Sequence, residues 1–304
     1  MTSSLRIGTR GSPLALWQAH HVAALLRAVA PERVVEFVQI QTAGDQIRDV
    51  PLAQLGGQGA FTKEIQRALQ TEAVDVAVHS LKDLPTFAVA GLILAAVPER
   101  GSIGDAFVSR RHRSFAELPP GAVVATSSLR RRAQALYRRP DLHLVDIRGN
   151  VETRLRKLEE QGLDGLILAQ AGLERLGLGG AITEILDPSW MLPAVGQGAL
   201  GLECREADTM TRALLSRIDH APTRAAVLAE RALLRGLGGG CQVPVGAVTT
   251  LSGGRLALRG VVISPNGQQR VEGRIEGSPA GAEELGQRLA EGLLTRGALE
   301  ILGI

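Results

Sequence analysis

The hydrophobic residues of this chain fall into short runs separated by segments with helical spacing. Strand-like runs are LRIGT, VVEFVQI, VDVAV and LILAAV, and after a polar break AFVS, AVVAT, LHLVDI and GLILA. Between them the spacing predicts helices that begin near Pro13, Ala60, Ser128 and Val151. Strands that alternate with helices are typical of α/β domains, so we predict two α/β domains with largely parallel sheets.

Two Pro/Gly-containing stretches, PERGSIGD and LPAVGQGALG, divide this pattern and read as hinges between the domains. The strand-like LGLEC follows the second stretch, so the chain is expected to return to the first domain there. Beyond it come a helix, APTRAAVLAERALLRG, two strand patterns and a final helix from about Ala280. We predict a first domain of residues 1–99 and 199–218, a second of 100–198, and a smaller C-terminal α+β domain of 219–304.

Composition limits the class of protein. The longest apolar stretch, FAVAGLILAAV, is shorter than the roughly 18 residues typical of a membrane span, and MTSSLRIGTRG lacks an apolar signal region. The two cysteines, Cys204 and Cys241, cannot build a disulfide framework or a cysteine-rich zinc site. We therefore expect a cytoplasmic protein that is not embedded in a membrane and has no metal site.

Arginine dominates the basic residues, because only three of the 34 are lysines. Compositional bias is sufficient to explain that number, so the positions of the arginines matter more. Several follow predicted strands, where open α/β sheets bind ligands: Arg10, Arg130, Arg131, Arg148 and Arg154. Arginine in a first helical turn opposes the helix dipole, which favours a polyanionic ligand held between the two domains over the alternative of a solvated basic surface.

Three other motifs each allow more than one interpretation. HSLKDLP places Asp83 after a buried strand, which is either ordinary turn chemistry or a functional carboxylate. LRRRAQALYRR is basic, but aromatic residues are only 3% of the chain, which disfavours nucleic-acid binding. GLGGGCQVP lacks the endings of nucleotide-binding loops; it places Cys241 on a glycine-rich loop, either as an accessible thiol or as a small buried hydrophobe.

Together these motifs resemble the hydroxymethylbilane synthase (porphobilinogen deaminase) family. The resemblance rests on TRGSPLALWQA, AVHSLKDLP, TSSLRRRAQ, RGNVETRL, AGLERLGL, LPAVGQGALGLECR and GGGCQVPVGA, in order along nearly the whole chain. It implies two domains like type II periplasmic binding proteins and a third that carries Cys241. It also implies a monomeric transferase with a dipyrromethane cofactor attached to Cys241 as a thioether. Such an enzyme joins four porphobilinogen molecules to this primer, with loss of ammonia, and hydrolyses off a linear tetrapyrrole.

The resemblance also implies roles for individual residues. Asp83 is the expected catalytic carboxylate, since it can stabilise cationic pyrroles and relay protons. Expected cofactor-binding residues are Cys241, Lys82, Ser128, Arg130, Arg131 and Arg148. Expected substrate-binding residues are Arg10, Ser12, Phe61, Ser80, Arg154, Arg175 and Gln197.

One departure concerns the stretch PLAQLGGQG, in which Gln54 and Gln58 stand where many bacterial members of the family carry lysines. A cationic role for that segment is therefore in doubt. The alternative function, from another class, is a non-catalytic binding protein or effector domain for an anionic ligand. Such a protein shares the two-domain fold but has no reason to keep Cys241 on a glycine loop.

Overall fold

The structure is a computed structural model that describes residues 4–46, 59, 61–239 and 243–302. Alternation of strands and helices runs through most of its length. In chain order the elements are β1 (Leu5–Thr9), α1 (Pro13–Val29), β2 (Val35–Gln39), α2 (Ala43–Gln46), α3 (Lys63–Gln70), β3 (Val76–Ser80), β4 (Leu92–Ala96), β5 (Asp105–Val108), β6 (Val123–Ala125), α4 (Leu129–Arg138), β7 (His143–Val145), α5 (Val151–Glu160), β8 (Gly165–Ala169), α6 (Gln170–Arg175), β9 (Glu184–Leu186), β10 (Leu200–Arg205), α7 (Thr209–Ser216), α8 (Ala221–Gly236), β11 (Val245–Ser252), β12 (Arg255–Ile263), β13 (Arg270–Gly277), α9 (Ala282–Leu294) and α10 (Ala298–Leu302).

The first sheet has the strand order β2-β1-β3-β10-β4. Strands β1, β2 and β3 are parallel, whereas β10 is antiparallel to both of its neighbours. Helix α1 covers one face because Ala19, Val22, Ala23 and Leu26 recur at the spacing of one helical stripe and are all buried. The strand that follows LPAVGQGALG thus returns to the first sheet, as the sequence predicted.

The second sheet repeats this arrangement with the order β7-β6-β8-β5-β9, in which β5 is the reversed strand. Its central strand β8 is apolar on both faces: Ile167 joins one core cluster, and Leu166 and Leu168 join the other. Two sheets of this order, each with one reversed strand, have the topology of type II periplasmic binding proteins. The expected α/β fold class is confirmed, with four strands in one direction and one against them.

The third sheet is an antiparallel meander, β11-β12-β13, packed against helices. Its core combines Leu233 of α8, Leu258 of β12, and Leu289 and Leu293 of α9, all buried. This smaller C-terminal α+β region matches the expectation for fold class.

The chain forms two compact units: Met1–Gly101 with Ala199–Arg224, and Ser102–Gly198 with Ala225–Ile304. The chain leaves the first unit within PERGSIGD and re-enters it within LPAVGQGALG, the two stretches expected to be hinges. The second unit contains both the second sheet and the C-terminal sheet, so the three-domain division stays a prediction. None of the described helices is long and apolar enough to cross a membrane.

Helix starts follow the local signals in the sequence. Ser12, Ser128 and Asn150 are N-caps whose side chains accept hydrogen bonds from the backbone N–H three residues on, at 3.3, 3.4 and 2.9 Å. Two starts were placed too early. The helix expected from about Ala60 begins at Lys63, and the last long helix begins at Ala282 after a 3-10 turn.

The close approach of α8 and α9 depends on Gly286. A Cβ atom there would lie 2.2 Å from the backbone oxygen of Ala229 and 2.8 Å from the backbone nitrogen of Leu233. Backbone atoms of a packed helix cannot yield as a flexible side chain can. We expect Gly286→Ala to lower the free energy of unfolding by about 1–3 kcal/mol through overpacking.

Gly292 is the matched control in the same helix, since a Cβ there meets nothing within 4 Å. Because alanine favours a helix over glycine, Gly292→Ala should leave stability unchanged or raise it by up to about 1 kcal/mol. Urea denaturation of both variants measures the difference. Equal midpoints for the two would contradict the packing argument.

Candidate active site

In the first unit, the exits of β1 and β3 lie side by side. The strands are parallel neighbours, with Ile7 opposite Val76 and Gly8 opposite Ala77. Arg10 follows β1 directly, and a 3-10 turn of Leu81–Asp83 follows β3. The structure therefore places the first-unit residues of the predicted site at one edge of one sheet.

The turn that carries Asp83 is fixed at its base. Gln18 of α1, itself buried, donates from Nε2 to the Ser80 hydroxyl at 2.7 Å. The backbone N–H of Leu81 donates to the carbonyl of Ala199 at 3.0 Å, continuing the pairing of β3 with β10. Side-chain and backbone contacts thus hold the segment immediately before Asp83 from two sides.

Beneath this turn lies a buried polar group that the sequence reasoning missed. His79 Nε2 lies 2.9 Å from Glu203 Oε2, and Gln66 Nε2 donates to both oxygens of Glu203 at 3.2 and 3.0 Å. All three residues are buried. His79 stands in the HSLKDLP motif, but Glu203 is 124 positions away on β10, and only the strand pairing brings them together.

The Asp83 carboxylate is partly exposed and, within the described part of the chain, forms no hydrogen bond or ion pair. Other aspartates of the same unit are engaged. Asp75 accepts from Arg6 and Arg205, and Asp219 accepts from Arg224. Asp83 is therefore a carboxylate on a fixed turn that is available to a ligand.

Arg10 and Phe61 also lie together. The guanidinium carbon of Arg10 is 4.2 Å from the centroid of the Phe61 ring, a cation–π contact. Ser12 caps α1, so its oxygen already accepts one hydrogen bond, while its hydroxyl proton can still be donated. The Ser12 hydroxyl thus keeps a donor at the exit of β1, beside the Arg10–Phe61 pair.

In the second unit, the exits of β6, β7 and β8 share one edge, since these strands are parallel neighbours. Ser128 caps the helix after β6, Arg148 follows β7, and Arg175 ends the helix after β8. Arg154 Nε donates to the carbonyl of Gly149 at 2.8 Å, and Arg175 Nη2 donates to that of Gly198 at 2.6 Å. Burial lowers the pKa of Arg175, because a charged guanidinium loses solvation there.

Arg130 and Arg131 are the most buried arginines of the predicted site, at 4% and 6% exposed, and both bind Asp105. Arg130 donates from Nη1 to Oδ2 at 2.6 Å and from Nη2 to Oδ1 at 3.2 Å. Arg131 donates from Nε to Oδ1 at 2.8 Å, and Gln197 Nε2 donates to the same oxygen at 3.0 Å. Burial alone would raise the pKa of Asp105, but the two guanidinium charges lower it to about 2.

This cluster corrects part of the sequence argument. Arginines in the first turn of α4 were expected to depend on an external anion, yet Asp105 supplies one internal counter-charge. One carboxylate cannot neutralise two guanidiniums, so the buried group of Asp105, Arg130 and Arg131 keeps a net positive charge. The sequence did contain a signal: Asp105 is an acidic residue that opens the apolar run AFVS.

Cys241 of the predicted site lies outside the described residues, as do Gln54 and Gln58 of the stretch PLAQLGGQG. The predicted site residue Lys82 lies within the 3-10 turn, beside Asp83. Among the residues that are described, no group of three or more His, Cys, Asp or Glu side chains is arranged to hold a metal ion.

Comparison with known proteins covers nearly the whole chain. The family model described as "Porphobilinogen deaminase, dipyromethane cofactor binding domain" matches residues 5–213, and "Porphobilinogen deaminase, C-terminal domain" matches residues 224–295. A porphobilinogen deaminase of Syntrophotalea carbinolica is 52% identical over 99% of this chain and 96% of its own length. That of Trichlorobacter lovleyi is 53% identical over 98% of this chain and 95% of its own.

Among solved structures, a periplasmic substrate-binding protein of an ABC transporter from Coxiella burnetii aligns with 74% of this chain and 94% of its own, at 15% identity and a TM-score of 0.45. The family matches do not favour the alternative of a non-catalytic binding protein. They assign to the chain a dipyrromethane cofactor and the synthesis of a linear tetrapyrrole from porphobilinogen. The chain therefore belongs to the porphobilinogen deaminase family.

Proposed function

We propose that Asp83 is the catalytic carboxylate with which this member of the porphobilinogen deaminase family joins four porphobilinogen molecules and releases ammonia. The observation that carries the proposal is the state of that side chain. It is partly exposed, free of any partner among the described residues, and mounted on a turn held by Gln18 and Ala199. Because the turn is held, the carboxylate is brought to the strand exit without a change of the backbone, and its oxygens stay open to a ligand.

The chemistry requires a negative charge at this place. Loss of ammonia from porphobilinogen leaves a cationic azafulvene, and forming the new bond between pyrroles later requires a proton to leave carbon. An ionised Asp83 can accept hydrogen bonds from pyrrole N–H groups, stabilise the positive charge, and take up and pass on that proton. One residue thereby serves two successive steps: it stabilises the cation left by the loss of ammonia, and it later accepts the proton that leaves carbon.

The dipyrromethane cofactor is the primer to which the pyrrole units are added. We propose that Cys241 carries it and that five residues hold it: Lys82, Ser128, Arg130, Arg131 and Arg148. Supporting this is the surplus positive charge of Arg130 and Arg131 over Asp105, because each pyrrole of such a group bears two carboxylates. The residues present therefore fit a polycarboxylate.

The remaining residues are proposed to bind the incoming substrate and the growing chain: Arg10, Ser12, Phe61, Ser80, Arg154, Arg175 and Gln197. Arginine suits this role since its planar guanidinium binds carboxylates through two parallel hydrogen bonds. The Arg10–Phe61 contact supports a paired action, in which the ring limits the orientations of the guanidinium. We further propose that the enzyme acts as a cytoplasmic monomer of three domains.

Replacing the carboxylate by its isosteric amide tests the role of Asp83. Asp83→Asn should leave the thermal midpoint unchanged, because the side chain has no internal partner, and lower the rate of tetrapyrrole formation by about 10²- to 10³-fold. Asp83→Glu, which keeps the charge but shifts it, should lose less. Steady-state assays with matched thermal melts provide the measurement. A rate like that of the wild type in the Asn variant would remove Asp83 from the mechanism.

We expect some arginines of the site to be needed for attachment of the cofactor and others for elongation of the pyrrole chain. We expect Arg131→Leu and Arg148→Leu to yield protein largely without cofactor, and Arg10→Leu to carry the cofactor but stall during elongation. Native mass spectrometry of each variant, before and after addition of porphobilinogen, shows which step fails. Arg156→Leu is the control, since Arg156 is exposed and, among the residues that the structure describes, forms an ion pair with Glu160 of the same helix alone. Normal elongation intermediates in all three site variants would contradict the division.

A further inference from the structure

We propose that Asp105 is a positioning residue, which holds the Arg131 guanidinium in the orientation needed to load the dipyrromethane cofactor. This inference rests on the proposed function, because it assumes that Arg131 holds that cofactor. It gives Asp105 a role beyond that of counter-charge to the two arginines.

The first support is the number of contacts that fix the plane of Arg131. Its Nε donates to Asp105 Oδ1 at 2.8 Å, its Nη1 to the carbonyl of Ile167 at 3.1 Å, and its Nη2 to Gln197 Oε1 at 3.4 Å. All three guanidinium nitrogens are therefore engaged. Because a guanidinium is rigid and planar, such contacts leave it one orientation.

The second support is the rigidity of the residue that makes the shortest of these contacts. Asp105 is fully buried and begins β5, which is paired on both sides, with Ala169 of β8 and Leu186 of β9. Gln197 braces it further, since its Nε2 donates to Asp105 Oδ1 and to the carbonyl of Ile103. A functional group is placed most accurately when its supports are themselves fixed by regular structure.

The third support is electrostatic. A carboxylate beside Arg130 and Arg131 reduces the positive charge available to an anionic cofactor. Considered by charge alone, Asp105 weakens the site, so its presence requires another reason. Its pKa of about 2 keeps it ionised at neutral pH, so the ion pairs with both arginines persist there. Orientation of Arg131 and stability of the fold are the two reasons that remain, and they can be separated by experiment.

The first experiment compares the wild type with Asp105→Asn. The amide keeps the volume but removes the charge, so the buried group becomes more positive. If Asp105 orients Arg131, the fraction of protein that carries the cofactor, read from intact mass, should fall by about tenfold or more, as expected for misplaced functional groups. If charge alone governs loading, that fraction should stay the same or rise, which would overturn the proposal.

A second pair of variants keeps the test valid if two unpaired buried cations unfold Asp105→Asn. Arg130→Met alone retains Asp105 beside Arg131, whereas Arg130→Met with Asp105→Asn retains Arg131 alone. The double variant has the same net charge at this cluster as the wild type and lacks only the orienting carboxylate. It should load less cofactor than Arg130→Met; equal or greater loading would overturn the proposal.

A stability readout separates positioning from a structural role. The thermal midpoints of the wild type and of Asp105→Asn are each compared with that of the same protein carrying Cys241→Ala, which cannot be loaded with cofactor. The difference within each pair is the rise in midpoint on loading. If Asp105 has a purely structural role, its replacement lowers both midpoints of the pair equally and leaves this rise unchanged; if Asp105 positions Arg131, the rise disappears. Asp164→Asn is the control, because Asp164 binds Val123 and His112 in the same unit and should leave the rise intact.

These outcomes also separate the inference from the proposed function. A wild-type chain without added mass would overturn the proposed function and this inference together. A loaded wild type with an equally loaded Asp105→Asn would overturn the inference alone.

Discussion

A single buried carboxylate shared by two adjacent arginines organises the second unit. Asp105 is the first residue of β5, and it binds Arg130 and Arg131 in the first turn of α4. Gln197, in the stretch LPAVGQGALG that leads back to the first unit, donates to the same carboxylate. Leaving a buried ion without its partner typically costs about 3–5 kcal/mol, so the sheet, the helix start and the crossing depend on one another. The two guanidiniums carry one more charge than the Asp105 carboxylate, and this surplus supports the proposed binding of a polycarboxylate.

Two aspartates of this chain have opposite surroundings, and the roles proposed for them differ accordingly. Asp105 is fully buried and bound by several donors, so its charge is fixed by the protein and cannot take part in proton transfer. Asp83 stands on a braced turn with its carboxylate open. Binding a polyanion requires cations, whereas the reaction generates a cation. The proposed roles match these two demands: the arginines at the strand exits of the second sheet bind the polyanion, and the carboxylate after β3 stabilises the cation.

Much of the fold was predictable because it depends on local patterns. Ser12, Ser128 and Asn150 cap helices as their sequence contexts indicate, and apolar runs became strands at nearly the expected positions. The motifs also placed Asp83 and the arginines at strand exits. What the sequence did not predict depends on distant pairing. Asp105 meets Arg130, and Glu203 meets His79, only because β5 and β10 run against their neighbours, and local hydrophobicity does not determine strand direction.

The central claim is that this chain extends a covalent pyrrole primer, which the intact mass of the purified protein tests most directly. A thioether formed on carbon survives reducing agents, unlike a disulfide. We expect the purified protein to exceed its sequence mass by two pyrrole units after reduction. Cys241→Ala should lose this excess, and Cys204→Ala, whose thiol is buried, should keep it. An unmodified mass in active wild-type protein would contradict the account.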